Sequence, residues 1–197
     1  MDEREFQGLM QLGEGRSLEF KQSTPWNDSE FKAKIVKTIL AFSNVIDGGR
    51  IIIGVEQQDD GGFNPKGMTE EHLATWNYDE IASYISEFAD PFVEFSLERV
   101  HVDSRTFLFI IISEFKEISV ICKKDGLARL RRGAIYTRTY RKPESAEIPS
   151  QTELREILDK AIEKRLRAFL RTASHAGLTI STGISDSELF NQQLGDF

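Results

Sequence analysis

Helices and strands mix in this sequence, which predicts an α+β fold, and three patterns carry the prediction. Residues 18–21 alternate apolar and polar, a helical stripe follows, and residues 51–55 are continuously apolar, so the first quarter reads strand, helix, strand. Residues 92–102 and 106–115 are rich in β-formers and meet at Asp103-Ser104, as paired strands do. Asn77 with Glu80, and Ser150 with Glu153, have the spacing of capping boxes that open helices.

In chain order, Phe6, Leu9 and Met10 set a short amphipathic helix over 3–12, ended by Gly13 and Gly15. Leu18 to Lys21 reads as a half-buried strand. Side chains alternate along a strand, so Glu19 and Lys21 project to one side. Asp28 caps a helix whose core stripe is Phe31, Ile35, Ile39 and Phe42. Gly48-Gly49 is read as a turn. The unbroken run Ile51 to Val55 is expected to be a central strand covered on both faces. Asp59 to Gly62 is a loop, and Thr69 caps a short helix over 70–76. A helix carrying Ile81, Ile85 and Phe88 stops before Pro91. Residues 118–123 and 127–140 are expected to be extended, with Arg129 and Arg131 on one strand face. The helix after Ser150 carries Leu154, Ile157, Leu158, Ala161, Ile162, Leu166, Phe169 and Leu170. The expected division is one domain over 1–171 and a polar tail over 172–197.

The composition, 40% hydrophobic and 29% charged, suits a soluble globular protein, and no apolar run approaches a membrane span. The start MDEREFQG lacks a signal peptide's apolar core, and Cys122 is the sole cysteine, so a cytoplasmic setting is expected. The formal charge of −7 excludes a uniformly basic surface. The charge is uneven, however. From Lys123 to Lys142 eight Lys or Arg face one Asp, leaving that segment at +7 and the remainder at −14. Such asymmetry points to one polyanion-binding face on an acidic body.

Two groups of residues carry candidate chemistry. Glu19 and Lys21 on one strand face suit a metal-dependent phosphodiesterase, in which the acid holds a divalent ion and the lysine stabilises phosphate charge. Glu14 and Glu56 are candidate partners for that ion. A solvated Glu–Lys pair is the structural alternative. The second group is Arg129, Arg131, Arg132, Arg138 and Lys142 for phosphates, with Tyr136 to stack on a base. A charged face paired with the acidic body is its alternative. His72, His101 and His175 share no ligand spacing, and neither a P-loop nor a G-x-G-x-x-G is present.

Taken together, these residues resemble the Schlafen/AlbA-like DNA-binding domain. The match runs through Glu14, Glu19, Phe20 and Lys21, then Ala41-Phe42-Ser43-Asn44, then Gly48, Gly49, Ile51 to Val55 and Glu56. It continues with Ile135-Tyr136-Thr137-Arg138, Ser145-Ala146-Glu147 and the helix from Gln151, and so covers roughly residues 10–160. The resemblance implies an α+β fold, a mixed and mostly antiparallel sheet flanked by helices, and nucleic-acid binding. In the animal branch of the family, three carboxylates support endoribonuclease activity on structured RNA such as tRNA. Glu14 and Glu19 match two of these, and Glu56, or Asp59 or Asp60, would be the third. Those proteins clasp RNA with two lobes, so this one-lobed chain, of bacterial type, would need a homodimer to imitate them.

The expected function is nucleic-acid binding, DNA or RNA, through residues 123–142, with no cofactor required. One alternative is an endoribonuclease dependent on Mg²⁺ or Mn²⁺ and using Glu14, Glu19, Lys21 and Glu56. The other is a protein-interaction module. On the binding reading, reversing Arg131 and Arg132 abolishes binding. On the nuclease reading, Glu19→Gln removes cleavage without unfolding the chain.

Overall fold

A four-stranded sheet with helices on both sides organises the computed structural model, which describes residues 3–178 apart from Arg141. The elements are α1 (Glu3–Leu12), β1 (Leu18–Lys21), α2 (Ser29–Ser43), β2 (Gly49–Ile53), β3 (Val55–Gln57), β4 (Phe63–Pro65), α3 (Glu70–Ala74) and α4 (Tyr78–Ser86). Then come β5 (Ala89–Asp90), β6 (Phe95–Val102), β7 (Arg105–Ile112), β8 (Ile121–Cys122), β9 (Tyr136–Arg138), β10 (Ser145–Glu147) and α5 (Gln151–His175). The sheet order is β1-β2-β7-β6, and only the β1–β2 pair is parallel. This is the mixed, mostly antiparallel α+β arrangement expected. Helix α5 runs through the expected domain boundary to His175. Most of the expected tail, residues 179–197, lies outside the described residues.

The two sheet faces bury separate cores. On one face Phe6 of α1 packs with Leu18, Phe20, Ile52, Phe107 and Phe109. On the other face α2 lies over Ile51, Ile53, Leu108, Ile110 and Ile112. Successive isoleucines of β2 thus serve opposite faces, which is why that strand reads as an unbroken apolar run. Helix α2 is buried all round from Thr38 to Ser43, and its polar face, with Lys34 and Lys37, lies before that stretch.

The AFSN stretch ends α2 with a polar knot. The buried Asn44 amide donates to the carbonyls of Leu40, Val120 and Tyr136 (3.1, 2.9 and 2.9 Å), and its oxygen accepts from Val120 N–H (2.8 Å). One side chain therefore ties α2 to the approach to β8 and to β9. The Gly-Gly pair is more than a turn. Gly48 has φ +71°, and a Cβ there would lie 2.0 Å from the Ile112 carbonyl oxygen. A Cβ on Gly49 would lie 2.4 Å from the Phe42 ring. The helix end and β2 close on each other only without these side chains.

The predicted caps Asp28, Thr69, Asn77 and Ser150 all accept from the first turn of their helices. The 127–140 stretch departs from expectation. Only Tyr136–Arg138 is a strand, while Ala128 and Arg129 have φ of 52° and 60° in a turn. Arg129 and Arg131 therefore share no strand face.

Candidate nucleic-acid interface

A cleft of about 540 Å³ opens where β1, α2, the 127–133 turn and the β9–β10 hairpin meet. Its floor is a buried ion pair. Glu19, on the α2 side of β1, pairs with Arg138 of β9 and with Lys21. The Thr38 hydroxyl donates to Glu19 Oε1 (3.2 Å). Arg138, 1% exposed, also donates from Nη2 to the Gly15 carbonyl (2.9 Å) and from Nη1 to Ser145 Oγ (3.4 Å). Burial pushes the Arg138 pKa below its ordinary value, while Glu19 and then Glu14 oppose that shift. The pair thus holds β1, α2 and the β9–β10 hairpin together.

Glu14 also lines the cleft, yet its carboxylate accepts the Phe20 N–H (2.8 Å) and so closes the open edge of β1. The same-side placement of Glu19 and Lys21 expected from strand alternation is present. Glu56 is not brought to them. It lies on the β3–β4 hairpin, across from Asn64, and pairs with Lys66. Asp60, in the loop of that hairpin, accepts from Gly62 N–H (2.9 Å). Among the described residues no group of three His, Cys, Asp or Glu is placed to hold a metal ion. Glu14 and Glu19 line one cleft, and Glu56 stands apart from them on the hairpin with Lys66. The partners of these acids are Arg138 and Lys21 for Glu19, the Phe20 N–H for Glu14 and Lys66 for Glu56.

The basic segment divides in the same way. Arg138 is buried at the floor of the cleft, where Glu19 answers its charge. Tyr136 is also buried and offers no stacking face. Its hydroxyl donates to the Arg129 carbonyl and accepts from Arg131 N–H (both 2.9 Å), which shapes the turn that carries the arginines. Arg129 is exposed and lines the cleft. Arg131 is exposed but pairs with Glu147 (3.1 Å), and Arg132 is exposed on the turn. Lys142 lines a neighbouring cleft with Tyr140. The Tyr140 ring lies under Arg16 (3.6 Å), and its hydroxyl donates to Glu156 (2.8 Å).

Sequence reading missed Lys34 and Lys37, which line the mouth opposite Arg129. Their signal was present, since they lie three residues apart on α2 and off the stripe of Phe31, Ile35 and Ile39. Glu30 and Glu144 stand at the same mouth, and Glu30 pairs loosely with Lys34 (3.8 Å).

The family model described as Schlafen, AlbA_2 matches residues 14–147. No curated protein matches the chain. Among solved structures, the DIP2311 protein of Corynebacterium diphtheriae aligns at 14% identity with a TM-score of 0.45. That alignment covers 68% of this chain and 22% of the other, so the chain spans about a fifth of its length. The N-terminal domain of a Nitrosomonas europaea protein described as related to the ATP-dependent DNA helicase RecG aligns at 20% identity with a TM-score of 0.47. It covers 74% of this chain and 94% of the other. Among the described residues no helix is long and apolar enough to cross a membrane.

Proposed function

We propose that this chain, which belongs to the Schlafen AlbA_2 family, binds nucleic acid at the mouth of the cleft formed by β1, α2 and β9. Membership of the family supports a nucleic-acid-related role. The observation that carries the finer reading is the meeting of Lys34 and Lys37 from α2 with Arg129 from the turn, above the buried Arg138–Glu19 pair. Arg129 and Lys37 have no ion-pair partner among the described residues, and Lys37 lies 5.4 Å from the Tyr136 ring centroid. Cations without an ion pair, held on a rigid frame, suit phosphate oxygens. Glu30 and Glu144 oppose the same anion, so the mouth selects a narrow path for the phosphates rather than a broad face.

The test is fluorescence anisotropy with single-stranded RNA, single-stranded DNA and duplex DNA, titrated over salt. Binding should weaken as salt rises. The Lys34→Glu/Lys37→Glu variant should bind about tenfold or more weakly, with the slope of log affinity against log salt reduced by about 0.7–0.9 per lost contact. Glu144→Gln should bind more tightly. Binding that ignores salt, or that survives reversal of Lys34, Lys37 and Arg129 unchanged, would overturn the proposal.

A further inference from the structure

A second cleft, of about 630 Å³, opens between the tip of the β9–β10 hairpin and the start of α5, with Tyr140, Lys142, Ser150 and Thr152 among its walls. Glu144 lines this cleft and the first, so the two meet at the hairpin tip. Tyr140 is 59% exposed, yet it is held at two points. The Arg16 guanidinium lies 3.6 Å from its ring centroid. Glu156 accepts the Tyr140 hydroxyl with one oxygen (2.8 Å) and Arg16 Nη2 with the other (3.0 Å). One face of the ring is therefore covered and its tip is engaged, so its exposed area belongs largely to the opposite face. Lys142 is exposed beside it and has no ion-pair partner among the described residues. Of the two acids in this cleft, Glu153 is buried and accepts from the Ser150 hydroxyl, which leaves Glu144 as the exposed one.

The chemistry of this face selects its ligand. A ring already fixed loses little conformational entropy when a flat group stacks on it. Arg16 beneath the ring and Lys142 beside it repel a cation, so the face suits a flat uncharged group carried on an anion. A nucleobase on a phosphodiester strand is such a group. Inside a duplex both faces of each base are covered by its neighbours, so only an unpaired base can lie on the ring. Building on the binding reading above, we propose that Tyr140 is the stacking platform of a second subsite, and that the chain takes single-stranded nucleic acid, DNA or RNA, in preference to duplex. Phosphates pass Lys34, Lys37 and Arg129 at the first cleft, and the strand crosses the hairpin tip to lay one base on Tyr140 with a phosphate near Lys142.

Fluorescence anisotropy of the full chain tests this with four labelled probes: a mixed-sequence DNA strand, its RNA counterpart, the same DNA as a duplex, and an abasic strand with the same number of phosphates. Each base-bearing strand should bind more tightly than the duplex and the abasic strand. Tyr140→Leu should weaken binding of the base-bearing strands about tenfold and leave the abasic strand unchanged. The slope of log affinity against log salt should stay that of wild type, because no phosphate contact is lost. Tyr140→Phe keeps the ring over Arg16 and should bind within about twofold of wild type. A 2-aminopurine base in the DNA strand should be quenched on binding to wild type and to Tyr140→Phe, but not to Tyr140→Leu. A duplex or an abasic strand bound as tightly as the base-bearing strands, or a Tyr140→Leu protein that binds them like wild type, would overturn this inference and leave the phosphate-binding mouth standing. Loss of salt-sensitive binding to every probe would overturn both.

Discussion

Arg138 and Arg129 stand in the same basic segment, yet the fold uses them oppositely. Arg138 is sealed under the cleft with Glu19, Thr38, Ser145 and the Gly15 carbonyl around it. Arg129 stands at the mouth with no ion-pair partner among the described residues. The difference teaches that a charged motif residue can be the frame of a site rather than its working surface. A buried guanidinium with an acid fixes geometry, and an exposed one without an ion pair is available to a ligand. The floor should therefore respond in stability, and the rim in binding.

The floor gives the largest effect. Glu19→Gln leaves the buried Arg138 charge without its acid, and removing one partner of a buried pair costs about 3–5 kcal/mol. For a domain of this size that lowers Tm by about 2–4 °C per kcal/mol, measurable by differential scanning calorimetry. The nuclease reading of the sequence instead expects Glu19→Gln to remove cleavage without unfolding the chain. The double variant Glu19→Gln/Arg138→Met should cost less than the sum of the singles, because each single change strands a charge. A Glu19→Gln protein as stable as wild type would break the comparison at its root.

Tyr136→Phe comes next. It removes the hydroxyl that joins the Arg129 carbonyl to the Arg131 N–H. The cost should be about 1 kcal/mol, because both backbone groups lie in an exposed turn where water replaces the phenol. Binding should fall with it as Arg129 loses its fixed position. If Tyr136 acted instead as a stacking platform, Tyr136→Phe would bind as well as wild type. Urea denaturation and anisotropy on the same sample separate the two roles.

Much of this architecture is legible in the sequence, and the part that is not has a physical reason. The caps, the apolar run of β2 and the i, i+4 stripe of α2 are local patterns, and the structure follows them. Strand alternation also put Glu19 and Lys21 on one side correctly. Burial of Arg138 and Tyr136 is not local, since it depends on β9 docking between α2 and β10 far along the chain. A run of arginines reads as a surface because most arginines are exposed. Glu56 misled through its proximity to the β2 run. Gly54, with φ +111°, turns the chain after β2 and sends Glu56 onto the hairpin with Lys66. Leu158, Ile162, Leu166 and Leu170 of α5 read as a helical stripe yet stand exposed, since periodicity cannot say which body a stripe faces.

Glu114 is intermediate, since it is half-buried but held by two lysines. Burial alone would raise its pKa, but hydrogen bonds from Lys160 and Lys164 and from the Asp47 N–H outweigh it and bring the value to about 2. The folded value lies below the ordinary 4.5, so the contribution to stability is full above pH 4.5 and is lost as pH falls toward 2. Acid denaturation should therefore loosen α5 from the body over that window. Lys160→Met/Lys164→Met should flatten the dependence when α5 helicity and Tm are followed against pH.

The smallest effect is expected where the sequence alone expected the largest. Arg131→Glu/Arg132→Glu reverses two charges of the turn, and on composition this change should abolish binding. Arg131 is already answered by Glu147, and Arg132 does not line the cleft with Arg129, Lys34 and Lys37. Both are exposed, so stability should stay within about 0.5 kcal/mol of wild type. Binding should weaken through the long-range field of the turn, an effect that salt screens within about 10 Å at 0.1 M. The loss should therefore be a few-fold at low salt and should vanish as salt rises, unlike the loss from Lys34→Glu/Lys37→Glu, which persists because direct contacts are removed. If the turn variant instead abolishes binding at all salt concentrations, the nucleic acid runs over the outer arginines, and the rim must be redrawn from the cleft mouth to the turn itself.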